Sequence, residues 1–116
     1  MYSTWTQIGL EIERLSVESD EGFHHRTIAN AQLFVTFADG RYRVADDVGK
    51  GYRATIRLTW SFQPHPIEVE VLENHYEFYR FLDGKTEIRE VPCTPDNESI
   101  PHVLKSVLDP ILSTRV

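Results

Sequence analysis

The chain has 116 residues, of which 41% are hydrophobic and 26% charged, and its formal net charge is −6. A chain of this size and composition can bury an ordinary core as one domain over residues 1–116, and it does not read as a disordered tract. Residues 61–116 carry 5 Lys and Arg against 10 Asp and Glu, whereas residues 1–60 carry 7 against 8. Nucleic acid and anionic membrane are therefore disfavoured as partners, while a protein of basic character would be attracted.

Cys93 is the single cysteine, so neither an intrachain disulfide nor a cysteine-held zinc is expected. No signal-peptide pattern opens the sequence, and no apolar run approaches the ~20 residues of a membrane helix. The expectation is a cytoplasmic protein.

Residues 1–17 fit two patterns. Trp5, Ile8, Ile12 and Leu15 have helical spacing, and Thr4 with Gln7 can form a capping box. Ile8, Leu10 and Ile12 equally alternate as a strand, and Gly9 weakens a helix. A helix here would leave a long structureless loop behind it, so loop length favours the strand. Glu18 to Arg26 reads as an acidic, polar loop. Gln32 to Phe37 and Arg41 to Ala45 then read as a hairpin around Asp39-Gly40, with Asp46 to Gly51 as a mobile loop.

From Tyr52 the alternation is long. Tyr52, Ala54, Ile56, Leu58, Trp60 and Phe62 share one face of a predicted strand. A turn through Gln63-Pro64-His65-Pro66 pairs Phe62 with Ile67, Trp60 with Val69 and Leu58 with Val71. Glu73-Asn74 turns the chain into Tyr76–Leu82, and Asp83-Gly84 turns it again, with Arg80 across from Glu87. Ile100, Val103, Leu104, Val107, Leu108, Ile111 and Leu112 form the stripe of a C-terminal helix. Ser99 or Asn97 can cap it, and Pro110 should kink or end it. The predicted architecture is α+β: a six- or seven-stranded antiparallel meander, a curled sheet or half-barrel, packed by the C-terminal helix.

Few residues carry a chemical signature. His24-His25 sits beside Glu18, Asp20 and Glu21, but adjacent side chains on an extended chain diverge, so a loop is the simpler reading than a metal site. His65 lies between two prolines and reads as a turn residue, while His75 and His102 belong to no recognisable spacing. Gly49-Lys50-Gly51 lacks the spacing of a phosphate loop. Cys93 has no neighbouring base, and no nucleophile–base arrangement stands out, so catalysis is not favoured and no cofactor is expected.

Glu68, Glu70, Glu77 and Glu90 fall on the sheet face opposite the core. The register sets Glu70 across from Glu77 and Glu77 across from Glu90, with Arg57 diagonal to Glu70 and Arg53 within reach. A solvated ladder of salt bridges accounts for these charges more simply than an acid–base or cation site.

The alternation breaks at Tyr76–Phe81, where Tyr79 and Phe81 place aromatic rings on the second face. A β-bulge near Phe78 would return them to the core. Alternatively, a helix or loop covers that face, or the rings stay exposed beside Ile88 as a contact surface. In the last case Tyr79, Phe81 and Ile88, with Glu68, Glu70 and Glu77 around them, would bind a protein partner or a second copy. Two functions follow from these readings. The favoured one is a non-catalytic interaction module: an adaptor, inhibitor or small assembly factor. The other is a small enzyme or ligand-binding half-barrel whose cavity is lined by Trp60, Phe62, Tyr76 and Phe78, with His65 at its rim.

Overall fold

The computed structural model describes residues 2–18, 22–96 and 98–114. Its elements run α1 (Trp5–Glu18), α2 (His25–Ala38), β1 (Asp47–Lys50), β2 (Ile56–Trp60), β3 (Ile67–Val71), β4 (His75–Leu82), β5 (Lys85–Pro92) and α3 (His102–Leu112). The strands form one open antiparallel sheet in the order β1-β2-β3-β4-β5. The α+β class and the C-terminal helix agree with the sequence reading, but the sheet has five strands rather than six or seven.

Two of the expected strands are helices. In α1 the capping box forms: the Gln7 N–H donates to Thr4 Oγ1 at 3.2 Å, and the Thr4 N–H donates to Gln7 Oε1 at 3.2 Å. Trp5, Ile8 and Ile12 are buried at the expected helical spacing. The argument from loop length fails because a second helix begins at His25, which shortens the connection. In α2, Thr27, Asn30, Ala31, Phe34, Val35 and Ala38 are buried at helical spacing. Asp39-Gly40 is a helix end, not a hairpin turn. Asp39 is the C-cap and donates its N–H to Val35 O, and Gly40 adopts φ 81°. A hairpin turn and a helix C-terminus both need a residue at positive φ, so the dipeptide alone does not separate them. Of the predicted second strand of that hairpin, only a single bridge of Tyr42 to Ser113 remains.

The segment taken as a mobile loop, Asp46 to Gly51, contributes β1, which pairs Lys50 with Ile56 and Asp47 with Thr59. Strand β2 is shorter than expected because residues 52–55 turn away from it. Its partner register is also shifted by two: Trp60 faces Ile67, Leu58 faces Val69 and Ile56 faces Val71. A shift of two preserves the faces, so the same side chains still reach the core. The α3 stripe buries Leu104, Leu108 and Leu112, and Pro110 lies inside the helix, which continues to Leu112. The cap is Pro101, without a side-chain bond; Ser99 does not serve, and Asn97 lies outside the described residues.

The core gathers one face of the sheet and the inward faces of all three helices. Trp60, Tyr76, Phe34 and Phe78 are its largest fully buried side chains. The Trp5 indole donates to Tyr42 O at 2.9 Å and the Trp60 indole to Arg43 O at 3.0 Å, so both buried N–H groups are satisfied. Buried Asn30 donates to Leu72 O (3.0 Å) and Glu73 O (3.1 Å), fastening α2 to the β3–β4 turn.

Candidate functional site

The helices cover one face of the sheet, and the other carries the residues singled out in the sequence. Strand β4 pairs residue for residue with β3 from Tyr76 to Arg80 and with β5 from His75 to Leu82. No bulge returns Tyr79 and Phe81 to the core. Thr59, Glu68, Tyr79 and Ile88 form one cross-strand row, and Arg57, Glu70, Glu77 and Glu90 form the next. The expected facing of Glu70 with Glu77 and of Glu77 with Glu90 is present, whereas Arg57 faces Glu70 directly instead of diagonally.

The Tyr79 and Phe81 rings stack with centroids 6.5 Å apart and planes 10° apart. Ile88 is 61% exposed and Phe81 36% exposed. Tyr79 is half-buried, and its hydroxyl donates to Glu77 Oε1 at 2.7 Å. Burial raises the Tyr79 phenol above its ordinary value and the hydrogen bond to Glu77 raises it further, so it remains a donor. The Glu68 carboxyl is likewise raised by burial, against an opposing effect of Arg57 and a reinforcing one of Glu70.

A salt-bridge ladder does not form. Among the described residues no arginine pairs with Glu68, Glu70, Glu77 or Glu90, and Glu70 is instead buried with 8% of its surface exposed. Its carboxylate accepts from the Thr55 hydroxyl and from the Tyr52 N–H at 3.2 Å. Residues 51–55 close over it as a turn with Ala54 at φ 53°, and a Cβ on Gly51 would collide with the Glu70 carboxylate and the Thr55 hydroxyl. A cleft of about 280 Å³ results, lined by Tyr52, Arg53, Thr55, Glu70, Glu77 and Tyr79. The sequence reading missed this turn because alternation from Tyr52 onward resembles uninterrupted strand.

The histidines separate into different roles. His24 caps α2: its Nδ1 accepts from the Arg26 N–H at 3.1 Å, and its Nε2 lies 3.1 Å from Glu73 Oε2. Its ring stacks on that of His25, and Asp20 and Glu21 lie outside the described residues. His75 is brought to Glu77 and Glu90, with donor atoms within 4.8 Å of one another. The spacing His75-x-Glu77 on one strand face, with Glu90 across from Glu77, could have signalled this trio. Its Nε2 lies 3.2 Å from Glu77 Oε2, its Nδ1 lies 2.7 Å from Asn74 Oδ1, and Glu90 is exposed. These are the described residues that could share a divalent cation, with three protein donors.

Cys93 is partly buried, and burial pushes its thiol up, with Arg26 opposing. A raised thiol is a poor nucleophile. Of the four residues suggested as a cavity lining, Trp60, Tyr76 and Phe78 are fully buried in the core, while Phe62 lines a surface cleft with His65. No helix among the described residues is long and apolar enough to cross a membrane. Compared with known families, with curated proteins and with solved structures, the chain shows no match.

Proposed function

We propose that the protein is a non-catalytic interaction module, an adaptor, inhibitor or small assembly factor, whose open sheet face receives another protein. The observation that carries this reading is the unbroken register of β4, which leaves Tyr79, Phe81 and Ile88 together on that face. Ile88 and Phe81 are exposed beside the half-buried Tyr79, and a contiguous apolar patch on a monomer marks a contact surface more often than isolated apolar residues do. Glu68, Glu70 and Glu77 adjoin it, and the cleft that Glu70 and Glu77 share with Tyr52 suits a Lys or Arg side chain of a partner. A cytoplasmic setting agrees with the single unpaired cysteine.

The edge strand β5 extends the same surface. Phe81 donates its N–H to Pro66 O on the β3 side. By antiparallel alternation Thr86, Ile88 and Glu90 then direct their N–H and C=O groups to the open edge of β5. A second copy added there about a two-fold axis at Ile88 would pair Ile88 with itself. It would also set Glu87 opposite Arg89 on both sides of the axis, while neighbouring registers oppose Glu87 to Glu87 or Arg89 to Arg89. A second copy therefore suits this edge in both charge and hydrogen bonding.

The test is the double variant Phe81→Asp with Ile88→Asp, examined by light scattering and by pull-down from the native host. Loss of self-association or of a captured partner, with the fold intact by circular dichroism, supports the reading. A folded double variant that keeps every contact removes it.

A further inference from the structure

A second surface lies on the opposite side of β4. Two buried side-chain nitrogens among the described residues lack a hydrogen-bond partner: His65 Nδ1 and Arg80 Nε. The two residues line one cleft of about 300 Å³, where the β2–β3 connection, β4 and the end of α3 meet, with these nitrogens behind its wall. Buried polar groups are paired in the great majority of proteins, and each orphan costs free energy, so two beside one cleft call for an explanation.

The surroundings indicate what the cleft would take. Phe62, Pro64, Ile67 and Ile111 form apolar walls, and among the described residues no Asp or Glu lines the space, although the chain carries 18 acidic residues. Arg80 stands opposite Glu87 in the ladder, yet no ion pair forms between them. Arg43 stacks its guanidinium over the Phe62 ring, 4.6 Å from the centroid, and adds positive charge beside the wall. A guanidinium presents its N–H groups as a planar fork that matches a carboxylate, and an imidazole N–H beside it can donate a further bond.

We propose that this cleft binds a small monocarboxylate with a compact apolar body, the carboxylate between Arg80 and His65 and the body against Phe62, Ile67 and Ile111. The proposal is independent of the open-face reading, because Arg80 leaves β4 on the face opposite Tyr79 and Phe81. A pocket of this size is at the small end of ligand sites, and a ligand of about ten non-hydrogen atoms binds such a site near the millimolar range.

The experiment titrates the full chain with phenylacetate, phenylacetamide and inorganic phosphate, following backbone amides by two-dimensional NMR. Saturable shifts with phenylacetate at His65, Ile67, Arg80 and Ile111 are expected. Phenylacetamide should bind at least tenfold more weakly, and phosphate more weakly than phenylacetate. The proposal is overturned if phenylacetate gives no saturable shift up to about 10 mM, or if its shifts map elsewhere. Equal binding of the amide, or phosphate binding as tightly as phenylacetate, overturns it as well. Arg80→Gln should weaken phenylacetate at least tenfold, and a folded variant that binds normally also overturns it. The comparison of acid with amide uses the unaltered chain, so it stands even where that variant does not fold.

Discussion

Substituting Gly51 by alanine probes the turn that closes over Glu70. The added methyl group would fall onto the Glu70 carboxylate and the Thr55 hydroxyl, with Glu70 Cδ at 3.1 Å. A flexible side chain can swing away, but this one accepts bonds from Thr55 and from the Tyr52 N–H. A hydrogen bond to a charged group is worth about 1.5–3 kcal/mol, and overpacking costs about 1–3 kcal/mol. Hydration of the displaced carboxylate offsets part of this, so Gly51→Ala should cost about 2 kcal/mol. In urea that lowers the unfolding midpoint by about 1 M at a slope of about 2 kcal/mol/M. The diagnostic is a mutant cycle. In a background carrying both Glu70→Ala and Thr55→Ala the two obstacles are gone, and Gly51→Ala should cost less than about 0.5 kcal/mol. Equal cost in both backgrounds, or a cost below that level in the unaltered protein, would refute the account.

Three further outcomes are expected. Asn30→Ala should lose about 1–3 kcal/mol, read by urea unfolding, because Leu72 O and Glu73 O lose their donor; an unchanged midpoint would contradict this role. Glu68→Gln should become the more stable form as pH rises. A carboxyl raised on folding favours the native state while protonated, and that contribution is lost as pH climbs through the raised value. The two proteins should therefore agree below the ordinary carboxyl value of about 4.3 and separate above the raised one, and coincident unfolding curves at pH 7 would count against it. Glu87→Arg and Arg89→Glu should each weaken a β5-paired dimer, and combining them should restore it. Sedimentation showing no rescue, or no dimer at any concentration, argues against that pairing.

What the sequence revealed depended on whether a local pattern had one structural meaning. The β3–β4–β5 meander was legible because alternation, the Asp83-Gly84 turn and the facing of Arg80 with Glu87 all agree with one arrangement. The α3 stripe was legible because Leu104, Leu108 and Leu112 recur at helical spacing within an apolar series. The first 45 residues were not, because their strongest signals serve two structures equally. The Thr4–Gln7 box was visible, yet it was outweighed by a loop that α2 in fact occupies. The outer-face residues Tyr79, Phe81 and Ile88 could be placed once the register was known. The burial of Glu70 could not, because it depends on a turn at Ala54 that leaves no mark in an alternating string. The trio of His75, Glu77 and Glu90 spans two paired strands, so it has no single linear spacing and shows only in the register of β4 with β5.

The position of α3 after the meander in chain order has a consequence during synthesis. Its last turn is clipped to the middle of the sequence: Arg43 donates its N–H to Leu112 O, and Thr114 donates to Arg41 O, both at 2.9 Å. A ribosome adds about 5–20 residues per second, so roughly 1–4 s separate Pro92 from Leu112. Hairpins form within about 1–10 μs. The nascent meander and the two leading helices can therefore assemble long before the third helix arrives. During that interval the place of Leu104, Leu108 and Leu112 in the core is unfilled, and the apolar side chains around it face water or a chaperone. Destabilising α3 would prolong that exposure and should show first as lower soluble yield.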